Sequence, residues 1–265
     1  MKSSNIKLKK KNNNTKIAIL IPAYNEEKYI KGVIKDCFKY RLDIVIVDDG
    51  STDNTLEVVK SIPVPKNFKI TLVKHSKNLG KGQSLKTGFS YIVKNNYSGV
   101  ITIDADGQHK TIEIKNFLKV IEKENPDLII GDRLGNTKNM PFIRLATNVF
   151  TSWVISNIAG IRISDVQSGF RYISTKALKN IKLETKNFDT EPEIIIQASW
   201  LGYNIKNIPI STIYNKNFVS YVNPVIDTIK FFKLVFNSCK WKRKLYKKEE
   251  LLLKKSDITH KKQPK

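Results

Sequence analysis

With 265 residues, 40% of them apolar, the chain can build one large α/β domain or two small ones, and its composition excludes global disorder. The formal net charge of +23 is concentrated at the ends: residues 1–16 carry six lysines and no acid, and residues 240–265 carry eleven Lys or Arg against Glu249, Glu250 and Asp257. Such ends suit an anionic surface, either lipid headgroups or nucleic acid, or serve as solvated tails.

The chain-order pattern begins with "KIAILIP", "DIVIVDD", "KITLVKH", "GVITIDAD" and "DLIIGDR", five short β-rich runs. Continuous apolar runs of this kind suit strands buried on both faces of a parallel sheet. Helical stretches are predicted between them, starting near Glu26, Asp53, Lys81 and Thr111, with "STDNT" supplying N-cap candidates. Alternating strands and helices imply βαβ units in a three-layer α/β fold. The second half reads as a helix over 144–159, the segment "SDVQSGFRYIS", a helix near 190–201 and a strand at "NIKNIPI". A last helix, roughly 224–247, carries Ile229, Phe232, Phe236 and Cys239 on one stripe and Lys230, Lys233, Asn237, Lys240 and Lys244 on another.

The N-terminus is charged and Asn-rich, without the apolar core of a signal peptide. The longest uncharged stretch, "LATNVFTSWVISNIAGI", falls short of a bilayer span of about 20 residues and carries Thr, Ser and Asn. It is expected to be a buried or interfacial helix, and no transmembrane segment is expected. Cys37 and Cys239 have no metal-type spacing, which fits a reduced, cytoplasmic protein.

In open α/β sheets ligands bind beyond the carboxyl ends of the strands. Those ends read Pro22-Ala23-Tyr24-Asn25-Glu26, Asp48-Asp49-Gly50-Ser51, Asp104-Ala105-Asp106 and Gly131-Asp132-Arg133, an acidic edge on a basic protein. Two carboxylates held close repel, so Asp104 and Asp106 favour either a cation between them or one retained proton. Hard oxygen ligands at an open site suit Mg²⁺ or Mn²⁺, with substrate phosphates completing the shell. A calcium-binding EF-hand loop from Asp104 would need an acid where Lys115 stands. An aspartyl-nucleophile phosphatase would need Thr or Val where Gln108 stands. A simple polar turn accounts for Asp and Gly but not for the Gln-His that follows. "NLGKGQSLKTG" is neither a full G-x-G-x-x-G nor a P-loop. His75, His109 and His260 are too scattered for zinc, and His109 beside the carboxylates fits a turn as well as a ligand.

Six motifs in order, "IPAYNEE", "VDDGSTDNT", "NLGKGQSLKTGF", "DADGQH", "GDR" and "SDVQSGFR", resemble family 2 glycosyltransferases of the GT-A fold over about residues 16–230. The likeness is strongest to dolichyl- or polyprenyl-phosphate mannose synthases and their glucose and N-acetylglucosamine relatives. It implies a GT-A domain over 16–223, with a basic disordered tail over 1–15, a membrane-surface helix over 224–247 and a basic tail over 248–265. It also implies residue roles. Pro22, Tyr24 and Glu26 line the nucleotide pocket, Val47 and Asp49 grip the base, and Asp48 supports them. Asp104, Ala105 and Asp106 reach the ribose, metal and diphosphate, and Gln108 is a further metal ligand. Arg133 and Arg144 face donor phosphate or acceptor, and Asp165, Ser168 and Arg171 shape the acceptor phosphate pocket. Asp106, Arg133 and Arg171 form the catalytic set. Other readings of the same residues are packing for Pro22 and Tyr24, a helix cap for Asp165, and an Arg171–Asp165 pair. The chain departs from the family in lacking the Gly-x-Ser-Lys of many relatives; it has "NKNFVSYVNP", where Lys216 is the candidate replacement.

The implied activity is a metal-dependent, inverting transfer of a hexose to dolichyl or polyprenyl phosphate. GDP-mannose is the first donor expected, then UDP-glucose or UDP-N-acetylglucosamine. A lipid phosphate is already anionic at neutral pH and needs no general base; transfer to a saccharide or protein hydroxyl, the alternative, would need one. The basic helix and tails predict peripheral binding at the cytoplasmic membrane face. A nucleic-acid module is suggested by charge alone, and the chain carries none of the usual nucleic-acid-binding sequence patterns, so no nucleic-acid partner is expected.

Overall fold

The computed structural model describes residues 16–66, 68–135, 137, 140, 142–187, 189–213 and 231–242. Seven strands form one sheet: β1 (Ile17–Ala23), β2 (Asp43–Asp48), β3 (Ile70–Lys74), β4 (Gly99–Thr102), β5 (Leu128–Asp132), β6 (Arg171–Ser174) and β7 (Ile205–Pro209), in the order β3-β2-β1-β4-β6-β5-β7. Strand β6 runs antiparallel to both β4 and β5, and the other pairings are parallel. The helices are α1 (Ile30–Cys37), α2 (Thr55–Lys60), α3 (Lys81–Lys94), α4 (Ile114–Glu124), α5 (Phe142–Ala159), α6 (Thr175–Asn180) and α7 (Thr190–Trp200); residues 231–242 form a further helix, α8.

The β-branched runs are buried on both faces, as parallel strands between helical layers require. All seven residues of β1 are buried. Alternate residues of β2 serve opposite layers: Ile44 and Ile46 join α1 and α4 residues in one core, and Val45 and Val47 join α3, α5 and α7 residues in the other. This is the mainly parallel α/β sandwich expected. Strand β6 was not expected. It is four residues long, begins with a buried arginine, and follows a loop rather than a helix, so it carries no apolar run to mark it.

The stripe predicted on the last helix does not face the core. Leu234, Ser238 and Trp241 are buried, whereas Phe232, Phe236 and Cys239 are exposed; Ile229 lies outside the described residues, as do the helix ends beyond 231–242. No helix among the described residues is long and apolar enough to cross a membrane. Both cysteines are free thiols.

Candidate active site

The acidic strand ends converge at the centre of the sheet, where β1 and β4 lie side by side. Asp104 and Asp106 follow β4 and turn through Gly107, whose φ of +72° suits glycine. Asp106 accepts the Gln108 backbone N–H at 2.9 Å through Oδ1. The Asp104 carboxylate lies against the backbone of Gly169, so closely that any Cβ there would collide with it. The order "QSGF" therefore needs its glycine for this carboxylate.

Asp104 is held by Lys81 from the start of α3 and by His109 from its own loop. Lys81 Nζ lies 2.7 Å from Oδ1 and 2.9 Å from Glu191 Oε1, while His109 Nε2 lies 3.4 Å from Oδ2. Burial would raise the Asp104 pKa, but Lys81 and His109 outweigh it and hold the carboxyl well below the usual range. Asp106 is shifted the other way, upward, by burial and by the charge of Asp104. Glu26, at the end of β1, is pushed up to about 8 by burial and by Asp106, Asp104 and Asp53. Glu26, Asp104 and Asp106 thus form a mutually repelling acidic group.

A second cluster borders the first. Asp165 is completely buried and takes a bidentate pair from Arg133, Nε at 2.6 Å and Nη2 at 2.9 Å. Asp165 also accepts the backbone N–H groups of Arg133 and Gln167. Arg171 is 1% exposed, and its guanidinium donates to the carbonyls of Ser168 (2.6 Å), Glu191 (2.6 Å) and Val166 (2.5 Å). Both arginines are thus engaged within the protein. Arg133 is the partner of Asp165, and Arg171 binds three main-chain oxygens, tying the 166–168 loop to the start of α7. The guanidinium is the largest buried group in this region because those three carbonyls require a forked donor.

The residues expected at the nucleotide base are placed as follows. Asp49 is 3% exposed and engages His75 Nδ1 (2.7 Å) and the N–H groups of Leu79 (3.0 Å) and Gly80 (2.8 Å), so it anchors the loop before α3. Val47 lies in the core, and Asp48 is 1% exposed with Oδ2 unpartnered among the described residues. Pro22 and Ala105 are buried, Tyr24 and Glu26 are half-buried at the β1 end, and Arg144 is half-buried in the first turn of α5. Ser168 is fully buried beside Asp104's neighbour Gly169, with its Oγ unpartnered among the described residues. Lys216 lies outside the described residues.

Lys81 and Glu191 were missed in the sequence. A lysine at the first position of a helix opposes the helix dipole, which is the signal that a carboxylate partner exists. Glu191 gave no such signal, because an acid in the first turn of α7 looks like ordinary dipole compensation. His109, assigned no role from sequence, faces Asp104 and packs against the Phe170 ring at 5.4 Å.

Residues 18–185 match the pattern of glycosyl transferase family 2. The chain belongs to that family. It is a glycosyltransferase, with relatives among the polyprenyl-phosphate sugar transferases. It is 33% identical over 233 residues to a UDP-N-acetylglucosamine–dolichyl-phosphate N-acetylglucosaminyltransferase of Methanococcus voltae, covering 82% of this chain and 93% of that one. It is 30% identical over 246 residues to a dolichyl-phosphate beta-glucosyltransferase of Saccharomyces cerevisiae, covering 82% and 72%. The fold is shared with glucosyl-3-phosphoglycerate synthase of Mycobacterium tuberculosis, crystallised with Mn²⁺ and UDP (TM-score 0.63, 14% identity, 86% of this chain and 80% of that one). In this family 2 enzyme the GT-A sheet therefore carries the acidic group at its carboxyl edge.

The donor set fits a hard divalent cation bound jointly with a diphosphate. No group of three or more His, Cys, Asp or Glu among the described residues is arranged to hold a metal alone. Asp106 and Glu26 nevertheless carry raised pKa values that a nearby cation would relieve, and buried Gln108 has an Nε2 unpartnered among the described residues, a donor suited to a phosphate oxygen rather than to the cation. One or two carboxylates completed by substrate phosphates is the usual arrangement for Mg²⁺.

Proposed function

We propose that this enzyme transfers a hexose from a nucleoside-diphosphate sugar to a polyprenyl or dolichyl phosphate. The observation that carries the reading is the Glu26–Asp104–Asp106 group at the β1 and β4 ends, charged against itself and so suited to a cation-bound diphosphate. Asp106 is the carboxylate assigned to that cation, with Glu26 near it and Gln108, whose backbone N–H Asp106 accepts, as the further candidate ligand through its side-chain oxygen. Asp104 stays ionised through Lys81 and sets the position of the Asp106 turn. Mg²⁺ or Mn²⁺ bound there would neutralise charge building on the leaving diphosphate.

The remaining chemistry belongs to the protein's own residues. The Arg133–Asp165 pair and Arg171 fix the 163–171 segment beside the donor site, and Arg144 at the start of α5 is the cation assigned to acceptor phosphate. A lipid phosphate oxygen then attacks the anomeric carbon in line with the departing diphosphate, inverting its configuration. That oxygen is already anionic, so the site's task is to bring two anions together rather than to remove a proton. Tyr24 and Pro22, with the backbone around Asp48 and Asp49, form the proposed nucleotide wall.

For the donor we favour a nucleotide-activated N-acetylglucosamine or glucose over GDP-mannose; what supports this is that one relative is named for UDP-N-acetylglucosamine and another as a glucosyltransferase. Peripheral attachment at the cytoplasmic face, through the basic helix and ends, follows from the lipid acceptor. The test is incubation with a polyprenyl phosphate, Mg²⁺ or Mn²⁺, and labelled UDP-N-acetylglucosamine, UDP-glucose and GDP-mannose in turn. The expected product is a chloroform–methanol-extractable, inverted sugar phosphate, lost in Asp106→Ala. Retained turnover in that variant would remove Asp106 from its role, and a water-soluble glycoside would replace the acceptor.

A further inference from the structure

Of the two histidines among the described residues, His109 meets the acidic group and His75 does not. His75 follows β3, and its backbone N–H donates to the Asp48 carbonyl at 2.9 Å, one step past the β2–β3 ladder. Its side chain is 10% exposed, and both ring nitrogens are engaged. Nδ1 lies 2.7 Å from Asp49 Oδ1, and Nε2 lies 3.0 Å from Thr87 Oγ1 in the second turn of α3. An apolar side chain would fill the space between β3 and α3 without desolvating an imidazole. A ring held between a carboxylate and a hydroxyl has a fixed orientation, and the two groups it touches are fixed in turn.

The carboxylate that His75 meets is itself a clamp. Asp49 Oδ1 also accepts the Leu79 N–H at 3.0 Å, and Oδ2 accepts the Gly80 N–H at 2.8 Å. Those two residues lead directly into Lys81, the first of α3. On its other side the same helix start is met by the 186 carbonyl, which accepts the Gln83 N–H at 3.1 Å. His75 thus ties α3 twice, through Thr87 in its body and through Asp49 to the loop that enters it. Lys81 depends on both ties, because its Nζ must stand 2.7 Å from Asp104 and 2.9 Å from Glu191 at once. Charge-assisted hydrogen bonds of that length tolerate little shift or roll of the helix that carries the donor.

We infer that His75 is a positioning residue for the transfer reaction: by orienting Asp49 and Thr87 it sets the entry and roll of α3, and so the place of the Lys81 ammonium between Asp104 and Glu191. The path runs from the imidazole to the Asp49 carboxylate, to the 79–80 main chain, to Lys81 and then to the acidic group. The inference rests on the proposed role of the Glu26–Asp104–Asp106 group and not on the identity of the acceptor.

The test is a double-mutant cycle in the full chain, read as kcat with the labelled nucleotide sugar that the wild type turns over and as calorimetric affinity for Mn²⁺–UDP. His75→Leu is expected to lower kcat by about tenfold. In a Lys81→Ala background the same change should lower it by less than about twofold, because residues that act through one group are not additive. Mn²⁺–UDP affinity should follow the same non-additive pattern. His75→Asn, whose amide keeps a donor for Asp49, should restore most of the activity. Thr87→Val, which replaces one hydroxyl by a methyl, should show the same non-additivity on a smaller scale and carries the test if His75→Leu does not fold. Tyr97→Phe loses a hydrogen bond to Asp43 (2.7 Å) at the opposite edge of the sheet; it should lower the melting temperature and leave kcat unchanged in either background. Equal losses from His75→Leu, or from Thr87→Val, with and without Lys81 would overturn the inference, because the residue would then act through stability or through Asp49 on the nucleotide. Unchanged kcat in Thr87→Val and in the folded His75 variants, with Lys81→Ala impaired, would also overturn it and leave the reading of the acidic group standing. Full kcat in Lys81→Ala would sink that reading, and the inference with it.

Discussion

Lys81 joins two carboxylates from distant parts of the chain, with its Nζ 2.7 Å from Asp104 and 2.9 Å from Glu191. It sits at the first position of α3, while Asp104 ends the β4 segment and Glu191 opens α7. The ammonium thus links the helical layer, the sheet edge and the start of α7. It does for Asp104 what a diphosphate-bound cation is proposed to do for Asp106, so one carboxylate has a fixed partner and the other is left for substrate.

Removing that ammonium leaves buried Glu191 and half-buried Asp104 without the cation between them. Lys81→Ala is expected to lower kcat by about a hundredfold, as loss of a charged hydrogen-bond partner by roughly 1.5–3 kcal/mol implies. Lys81→Arg should recover a substantial part, since a guanidinium can bridge the same pair. Steady-state kinetics with donor varied, alongside calorimetric Mn²⁺–UDP affinity, distinguish positioning from folding. A loss confined to melting temperature, with kcat of the folded enzyme intact, would contradict the positioning role.

Arg171 and the Arg133–Asp165 pair should separate in the opposite sense. Both sites are buried, and Asp165→Asn leaves the Arg133 guanidinium without its carboxylate, which costs roughly 3–5 kcal/mol. Arg171→Ala strands three main-chain carbonyls and is expected to destabilise by a similar or larger amount. Urea titration reads both. If Arg171 instead contacted substrate directly, Arg171→Ala would reduce kcat strongly with its unfolding midpoint nearly unchanged.

The strands other than β6 were legible because their apolar runs are short, continuous and end in polar residues, and the helices of the first half followed from the spaces between. Asp104 and Asp106 were legible for the same reason: a charge pair immediately after an apolar strand has few structural uses. The main-chain contacts of Arg171 were not legible, because a guanidinium that serves carbonyls looks in sequence like one that serves phosphate. Lys81 and Glu191 are 110 positions apart, and neither residue's local pattern pointed to the other. The outward stripe of α8 had been readable as a stripe, but which of its two apolar faces turned inward depended on Leu234 and Trp241 meeting the core.

Glu26 provides the pH signature of the acidic group. Its pKa is pushed from 4.5 to about 8, so between those values the folded protein holds a proton that the unfolded chain has released. Stability contributed by that proton is fully present below about pH 4.5 and is lost as pH rises through about 8. The metal-free enzyme in EDTA should therefore melt at progressively lower temperature across this window, and Glu26→Gln should flatten the slope. Mn²⁺ with UDP should flatten it too, because a cation beside Glu26, Asp104 and Asp106 favours their ionised forms. Calorimetric melting curves of wild type and Glu26→Gln, with and without Mn²⁺–UDP, read all four cases. A wild-type slope that persists unchanged with Mn²⁺–UDP bound would place the cation away from this carboxylate group.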